Sequence, residues 1–224
     1  MSLPTVDRTR QDLEARSVAL GELLTPDQLR VMQDTVRDLV QRGAASDALS
    51  TGQIAPDFIL PDAAGQPVRL YSQLERGPVV LVFYRGGWCP FCETYLRGLQ
   101  RELFYFRELG AELMAVSPQL PDNSLQTRID HELAFPVVSD TGLRTSRQYG
   151  LAYQLPPALL RVYHQLGIDL EQLNGAAGAD LLPLAATFVI NRDRQIVRAE
   201  INEDYTRRLD PVDIIAELVE LRSA

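Results

Sequence analysis

An apolar run that leads into a cysteine pair constrains the fold of this chain more than any other feature. The run is Val79 to Tyr84, and Cys89 and Cys92 follow it in C-x-x-C spacing. An unbroken apolar run of this kind is typical of a strand that is buried on both faces of a sheet. A helical pattern then continues to a glycine stop at Gly110. The cysteines are therefore predicted to lie where a buried strand meets the start of a helix.

Strand-like and helix-like segments alternate along the chain after Gly52. The predicted strands cover residues 55–60, 79–84, 112–117, 135–139, 187–191 and 195–201, and the predicted helices cover residues 89–109, 125–133, 143–149 and 211–221. Alternation of this kind predicts an α/β sandwich with a central, mostly parallel sheet. The last two strands form a hairpin, which makes the sheet mixed. Residues 151–182 are predicted to be irregular or helical.

The first 50 residues are predicted to form a helical extension. Leu29, Met32 and Val36 recur at helical spacing, and the sequence 25–27, Thr-Pro-Asp, is typical of a helix start. Residues 44–52 are small and polar, which suits a linker. We therefore divide the chain into a helical extension, residues 1–50, and a main domain, residues 51–224.

Charge and hydropathy limit the possible partners and locations. The formal net charge is -8, which argues against binding to nucleic acid or to anionic lipid. No apolar run approaches the ~20 residues that a membrane span requires, and the N-terminus lacks the pattern of a signal peptide. We therefore predict a soluble, cytoplasmic protein, in which a dithiol would be reduced at rest.

The chain contains no lysine, which excludes catalysis by a Schiff-base or P-loop lysine.

Neither a metal nor a cofactor is expected. A structural zinc site needs four ligands, and the chain offers two cysteines and two histidines. The histidines, His131 and His164, belong to distant segments and are interpreted as surface or helix residues. The remaining alternative to a reactive pair is that the two cysteines are inert, buried thiols.

The position of the cysteine pair predicts a reactive dithiol. Cys89 would lie at the helix N-cap and Cys92 one turn later on the same face, where unpaired backbone N–H groups and the helix dipole stabilise a thiolate. Pro90 suits the first turn of the helix. Arg85 would add positive charge nearby, and Trp88 would either shield a disulfide or act only as a core aromatic.

Several segments resemble the peroxiredoxins. The segment Phe83 to Cys92 resembles the site of the peroxiredoxin-like branch of the alkyl hydroperoxide reductase/thiol-specific antioxidant family. Further similar segments follow the family's order, at residues 52–58, 110–118, 135–140, 149–151 and 186–191. The likeness covers roughly residues 50–220 and implies a thioredoxin-like fold. The helical extension also resembles that of this branch.

The chain departs from the peroxiredoxin pattern at two positions. Cys89 stands where peroxiredoxins carry Thr or Ser, so this resemblance places Cys92 at the peroxidatic position. Resemblance to thioredoxin instead makes Cys89 the exposed attacker, and the order of attack stays open. Ala185 stands where peroxiredoxins carry an Arg and where thioredoxins often carry a cis-proline.

Peroxide reduction also needs hydrogen-bond donors for the developing oxyanion. Without the usual Thr and Arg, these donors would come from Arg85 or from the backbone amides of residues 88–92. We predict Cys89 and Cys92 as the catalytic residues, supported by Arg85, Trp88, Pro90 and Phe91.

The resemblance implies a thiol-dependent oxidoreductase that reduces hydroperoxides while its dithiol cycles to a Cys89–Cys92 disulfide. A thioredoxin- or glutaredoxin-like protein, or a small thiol, would reduce that disulfide. One alternative is a thiol–disulfide reductase without peroxidase activity. Another is a redox-responsive binding module that uses residues 1–50 and 151–182. A homodimer through the N-terminal helices is a further hypothesis. Residues 151–184 are expected either to shape an apolar approach to the dithiol or to complete the core.

Overall fold

The computed structural model describes residues 8–223. In chain order its strands are β1 (Ile59–Pro61), β2 (Pro67–Arg69), β3 (Val79–Phe83), β4 (Glu112–Ser117), β5 (Val137–Ser139), β6 (Ala152–Gln154), β7 (Leu181–Pro183), β8 (Ala185–Ile190) and β9 (Ile196–Asn202). Its α-helices are α1 (Arg8–Leu23), α2 (Pro26–Gln41), α3 (Leu70–Leu74), α4 (Pro90–Glu108), α5 (Pro121–Asp130), α6 (Arg144–Gln148), α7 (Pro157–Gln165), α8 (Leu170–Asn174) and α9 (Pro211–Ser223).

A mixed sheet of five strands occupies the centre, in the order β5-β4-β3-β8-β9. The strands β3, β4 and β5 are parallel to one another, while β8 is antiparallel to both β3 and β9. The parallel pairs are joined by helical crossovers, as parallel neighbours require. The predicted α/β architecture with a mixed sheet and a closing hairpin is therefore confirmed.

Strand β3 lies at the middle of the sheet, and all five of its residues are buried. Successive side chains of a strand point to opposite faces. Val80 and Val82 pack with α4 and α9 on one face, whereas Leu81 and Phe83 pack on the other face with residues of α2 and α3. Apolar contacts on both faces explain why the sequence of this strand is apolar without interruption.

Helix α1 packs along α4. Gly98 of α4 brings the two helices close together, because a Cβ atom there would overlap the side chain of Thr9. An ion pair of 2.8 Å between Arg101 and Asp12 joins the same two helices. Residues 1–7 of the predicted extension lie outside the described residues, and the division of the chain after residue 50 stays a prediction.

Helix α2 begins where the sequence predicts. Thr25 is its N-cap and accepts a hydrogen bond from the backbone of Gln28, whose side chain in turn accepts one from the backbone of Thr25. This reciprocal capping box satisfies two backbone donors at the helix start.

Two predictions of secondary structure differ from the structure. The first strand, predicted over 55–60, is the short β1, which pairs with β2 and is not part of the central sheet. Residues 151–182 contain α7, α8 and β6, and β6 forms a two-stranded antiparallel sheet with β7, which begins in this segment and ends at Pro183; the sequence did not reveal this sheet. Each of these strands has three residues, too few for alternation to be recognised. Within residues 8–223, no helix has the length and apolarity needed to cross a membrane.

Candidate functional site

The two cysteines lie at the turn from β3 into α4. Cys89 is the N-cap residue of α4, and Pro90 occupies the first helical position. Gly86 has φ +145°, a conformation that L side chains rarely adopt, and its carbonyl accepts a hydrogen bond of 3.2 Å from the backbone of Cys89. Cys92 follows as the third helical residue. The backbone N–H groups of a first helical turn have no partners within the helix, so they favour a negative charge on this sulfur.

Both sulfurs are free thiols buried from solvent, with 1% of Cys89 and 0% of Cys92 exposed. The Cys89 thiol lies close enough to the Cys92 sulfur for its proton to lower the pKa of Cys92 and for Cys92 to raise the pKa of Cys89. Spacing of three residues on one helix face brings the two sulfurs together. The pair can therefore exchange a proton and form a disulfide without a large movement of the backbone.

Each sulfur also contacts its own arginine. Nη2 of Arg208 lies 3.3 Å from Sγ of Cys92. Nη1 of Arg85 lies 3.8 Å from Sγ of Cys89. Arg208 belongs to the segment between β9 and α9, whereas Arg85 belongs to the loop that follows β3. Two cations from distant parts of the chain thus flank the dithiol.

The two sulfurs differ in their acidity. Burial by itself raises the pKa of Cys92, but the hydrogen bond from Cys89 and the charges of Arg208 and Arg85 outweigh burial and lower this pKa to about 5. Burial raises the pKa of Cys89, and the adjacent Cys92 raises it further by accepting its proton and by its negative charge. At neutral pH the site therefore holds a thiolate at Cys92 and a thiol at Cys89.

Arg85 lies in a cage of aromatic side chains. Its guanidinium carbon is 4.0 Å from the ring centre of Tyr205, 5.1 Å from that of Trp88 and 5.6 Å from that of Tyr163. Nη2 of Arg85 donates a hydrogen bond to the hydroxyl of Tyr163. Only 2% of Arg85 is exposed. Aromatic faces attract a guanidinium and shield it from water.

Two of the other predicted supporting residues contact this cage: Trp88 is one of its walls, and Phe91 packs behind Tyr205. Trp88 packs edge-on against Tyr163 at 5.2 Å between ring centres. Phe91 packs in the same way against Tyr205 at 5.6 Å. All six predicted site residues therefore lie together at the start of α4, although their functional roles stay predictions.

Sequence reasoning missed three residues of the site, namely Tyr163, Tyr205 and Arg208. Tyr163 is on α7, within the segment whose sequence left two interpretations open. Tyr205 and Arg208 lie in a polar stretch after β9 that contains no motif. The missing arginine near Ala185 was a signal that a cation must come from elsewhere, but it gave no position for that cation.

A cavity of about 500 Å³ lies beside Arg208. Its walls come from α1, from the end of β9 and from the segment 206–210, and include Thr9, Leu13, Asn202 and Thr206. Arg208 lines this cavity and also contacts Cys92, so it stands between the cavity and the buried sulfur. A second cavity of about 450 Å³ between α1, α2 and Tyr205 is lined mainly by apolar side chains.

Comparison with known proteins identifies the family. The model of the AhpC/TSA family matches residues 51–199. The thiol-disulfide oxidoreductase ResA of Halalkalibacterium halodurans is 34% identical over 110 residues, which span 49% of this chain and 61% of ResA. A protein of Mycobacterium tuberculosis that carries the name of a peroxiredoxin is 26% identical over 178 residues, which cover 78% of this chain and 99% of that protein.

Solved structures show the same fold. The peroxidoxin BcpB of Mycobacterium tuberculosis has a TM-score of 0.62 at 24% identity, over 77% of this chain and 98% of BcpB. The bacterioferritin comigratory protein of Xanthomonas campestris has a TM-score of 0.58 at 18% identity, over 78% of this chain and 99% of that protein. The predicted thioredoxin-like fold is confirmed.

The chain belongs to the AhpC/TSA family. This membership confirms the prediction of a peroxiredoxin-like, thiol-dependent oxidoreductase. Tyr205 and Arg208 lie beyond residue 199, where the family match ends, and all of α1 lies before residue 51, where the match begins. The chain thus completes its dithiol site with residues from outside the matched region.

Proposed function

We propose that this member of the AhpC/TSA family reduces hydroperoxides, with Cys92 as the attacking sulfur and Cys89 as the resolving sulfur. The observation that carries the proposal is the contact of 3.3 Å between Arg208 and the buried sulfur of Cys92. It joins a thiolate to a cationic hydrogen-bond donor, the two groups that peroxide reduction requires.

The proposed reaction has two steps. The thiolate of Cys92 attacks the outer oxygen of the hydroperoxide, the O–O bond breaks, and an alkoxide leaves and is protonated to an alcohol. Cys92 is then a sulfenic acid. The sulfur of Cys89 loses its proton and attacks Cys92, the S–O bond breaks, and hydroxide leaves as water after protonation. The dithiol loses two electrons and the peroxide gains two.

The acidities of the two sulfurs support this order of attack. The thiolate is the nucleophilic form of cysteine, and the lowered pKa of Cys92 keeps it ionised at neutral pH. The raised pKa of Cys89 keeps that sulfur protonated in the resting site. Of the two orders that sequence resemblance left open, this difference favours the peroxiredoxin order.

Arg208 also supplies the cation that peroxiredoxins provide from an arginine at the position that Ala185 occupies in this chain. One of its nitrogens reaches Cys92, and another donates to the backbone carbonyls of Tyr205 and Arg207. These carbonyl contacts hold the guanidinium in place. A fixed cation beside the thiolate is suited to stabilise charge on the leaving oxygen without reorganisation.

Thiol–disulfide exchange is the second candidate function. The C-x-x-C spacing and the similarity to ResA over 110 residues favour it. Burial favours the first candidate, because a disulfide of another protein must reach a sulfur that is 1% exposed or less, whereas a small peroxide needs only a narrow path. We therefore rank hydroperoxide reduction first.

We further propose that a small thiol reduces the Cys89–Cys92 disulfide, or that a thioredoxin- or glutaredoxin-like protein does so after the oxidised site has opened and exposed the sulfurs, which are buried in the reduced protein. A reducing compartment such as the cytoplasm would supply these reductants. Residues 1–50 act in this proposal as a cover for the site, since α1 lines the cavity beside Arg208. A homodimer through α1 and α2 is part of the same proposal.

Trapping of sulfenic acid tests the function and the order of attack together. Cys89→Ser treated with hydrogen peroxide or an alkyl hydroperoxide is expected to hold a trappable sulfenic acid on Cys92. Cys92→Ser is expected to trap little, because Cys89 is protonated. Trapping only in Cys92→Ser would reverse the order, and wild-type protein that consumes peroxide no faster than free thiol would refute the proposed function.

A further inference from the structure

We propose that Arg85 and its aromatic cage act in the second step of the reaction by stabilising the thiolate of Cys89 when it attacks the sulfenic acid on Cys92. This inference rests on the proposed function and assigns a different step of the reaction to each of the two arginines. Arg208 acts on the peroxide-reacting sulfur, and Arg85 acts on the resolving sulfur.

The surroundings of Arg85 show that its charge has no ordinary partner. Within residues 8–223, no carboxylate forms an ion pair with this arginine, although it is 2% exposed. Its neighbours are three aromatic rings, one phenol hydroxyl and the sulfur of Cys89. Its charge acts on the Cys92 thiolate at rest, but a buried charge that has no carboxylate partner is costly. Among the residues that the structure describes, the group in contact with it that becomes an anion during the proposed reaction is Cys89.

The hydrogen bonds of Arg85 point to the same role. Its Nε is buried and has no acceptor, and the indole Nε1 of Trp88 is in the same condition. Buried donors without a partner are uncommon in folded proteins and require an explanation. Nε of Arg208 is in the same condition on the Cys92 side, so each flanking arginine has a spare donor, and on the Cys89 side Nη1 of Arg85 already contacts the sulfur.

The movement of charge during the reaction explains why two cations are needed. At rest the negative charge is on Cys92, beside Arg208. When Cys92 becomes a sulfenic acid it is neutral, and the alkoxide that leaves takes the proton of Cys89 and departs as an alcohol. The negative charge is then on Cys89, beside Arg85. Attack on Cys92 forms the S–S bond and expels hydroxide.

The acidity of Cys89 changes in the direction that this sequence requires. Two of the causes that raise its pKa at rest are the hydrogen bond to Cys92 and the negative charge of Cys92. Both disappear once Cys92 is a neutral sulfenic acid. The lowering effects of Arg85 and Arg208 remain, so the resolving thiol becomes more acidic only after the first step has occurred.

The test measures the two steps separately. Reduced protein is mixed with hydrogen peroxide, quenched with acid at successive times, and analysed by mass spectrometry for thiol, sulfenic acid and disulfide. The loss of thiol depends on peroxide concentration, whereas the conversion of sulfenic acid to disulfide does not. Arg85→Gln, Arg85→Lys and Arg208→Gln are compared with Arg30→Gln, which removes a positive charge from an exposed side chain of α2.

Arg85→Gln is expected to slow disulfide formation by about tenfold or more. Loss of the cation raises the pKa of the Cys89 thiol, and each pKa unit lowers the ionised fraction of this attacking thiol, and with it the rate, by about tenfold. Sulfenic acid on Cys92 should accumulate, and the pH profile of disulfide formation should move to higher pH. The first step should slow by a smaller factor. Arg85→Lys, which keeps the charge, should recover part of the second step.

Arg208→Gln should slow mainly the first step, the oxidation of Cys92, and affect disulfide formation less. Arg30→Gln should match the wild type in the rates of both steps. The inference is overturned if Arg85→Gln forms the disulfide at the wild-type rate, or if it slows both steps by the same factor and Arg85→Lys does not recover the second. Cys89→Ser protein that forms no sulfenic acid on Cys92, together with wild-type protein that consumes peroxide no faster than free thiol, would refute the proposed function itself, and this inference with it.

Discussion

Arg208 and Cys92 are 116 residues apart in the chain, yet the Nη2–Sγ distance between them is 3.3 Å. Removing this cation tests its effect on the sulfur directly. Arg208→Gln is expected to raise the pKa of Cys92 by roughly 1 to 3 units, the range typical for loss of an opposite charge at this distance. The lowered pKa of about 5 means that thiolate is present above that pH and is lost as pH falls through it. In the variant this loss should begin at a higher pH.

The pH dependence of alkylation by iodoacetamide measures this shift, with the reaction followed at Cys92. Arg207→Gln is the matched control, because Arg207 is the neighbouring residue and its side chain is 77% exposed. It should leave the profile unchanged. An unchanged profile in Arg208→Gln would show that the helix start, Cys89 and Arg85 hold the charge on Cys92 without Arg208.

Single residues also mark the limit of sequence prediction at the site. Cys89 and Cys92 were predictable because their spacing relative to a strand and a helix is local. Arg85 was predictable for the same reason. Arg208 and Tyr205 were not, because they reach the site through the fold of the whole chain and no pattern in residues 203–210 indicates where that segment lies.

At the scale of elements, the contact between α1 and α4 depends on a glycine. A Cβ atom at Gly98 would overlap the side chain of Thr9, whereas one at Gly21 of α1 would meet nothing. Both Gly→Ala substitutions gain roughly 0.5 to 1 kcal/mol of helix propensity. Gly21→Ala should therefore raise the free energy of unfolding, and Gly98→Ala should be less stable than Gly21→Ala by about 1 to 3 kcal/mol because of overpacking.

Urea denaturation measures both values. Adding Thr9→Ala to Gly98→Ala should recover part of the loss, since the pair is in contact and its effects are not additive. Equal stability of Gly98→Ala and Gly21→Ala would contradict the close packing of these helices.

The loop between β3 and α4 gives a second prediction for elements. Gly86 has φ +145°, and a Cβ atom there would overlap the indole of Trp88. Gly52 has φ +94° but open space around it, so Gly52→Ala isolates the cost of backbone strain, about 1 to 2 kcal/mol. Gly86→Ala should cost more than Gly52→Ala in urea denaturation and should slow the oxidation of Cys92 by peroxide. A variant Gly86→Ala with wild-type stability and rate would show that the loop tolerates a displaced Trp88.

Elements differed in how well the sequence predicted them. The central strands and α4 were predicted because long apolar runs and a glycine stop are clear signals. The short strands β1, β2, β6 and β7 depend on pairing partners that local sequence does not reveal. Tertiary context therefore decided these elements, as it does wherever propensity is weak.

For the whole molecule, the charge of the dithiol is linked to the segment 203–210. Tyr205 packs on Arg85, and Arg208 contacts Cys92. Formation of the disulfide removes the negative charge and leaves both arginines beside a neutral group. The segment should then open more often, and its backbone amides should exchange hydrogen faster in the oxidised protein than in the reduced protein.

Hydrogen-exchange mass spectrometry of peptides that cover residues 203–210 tests this expectation. Cys92→Ser, which has no thiolate, should resemble the oxidised protein in this segment. Cys89→Ser, which keeps Cys92, should remain closer to the reduced protein. Equal exchange in all four samples would show that the segment does not respond to the charge of the site.

The cage around Arg85 also has a practical consequence. Trp88 is the single tryptophan of the chain, and it lies next to Cys89 in sequence and 5.1 Å from the guanidinium of Arg85. Emission excited at the red edge of indole absorption thus comes from one ring, at the place where sulfur chemistry and charge change. The protein carries its own optical probe, so turnover of the unlabelled, unmodified chain can be followed in real time by fluorescence.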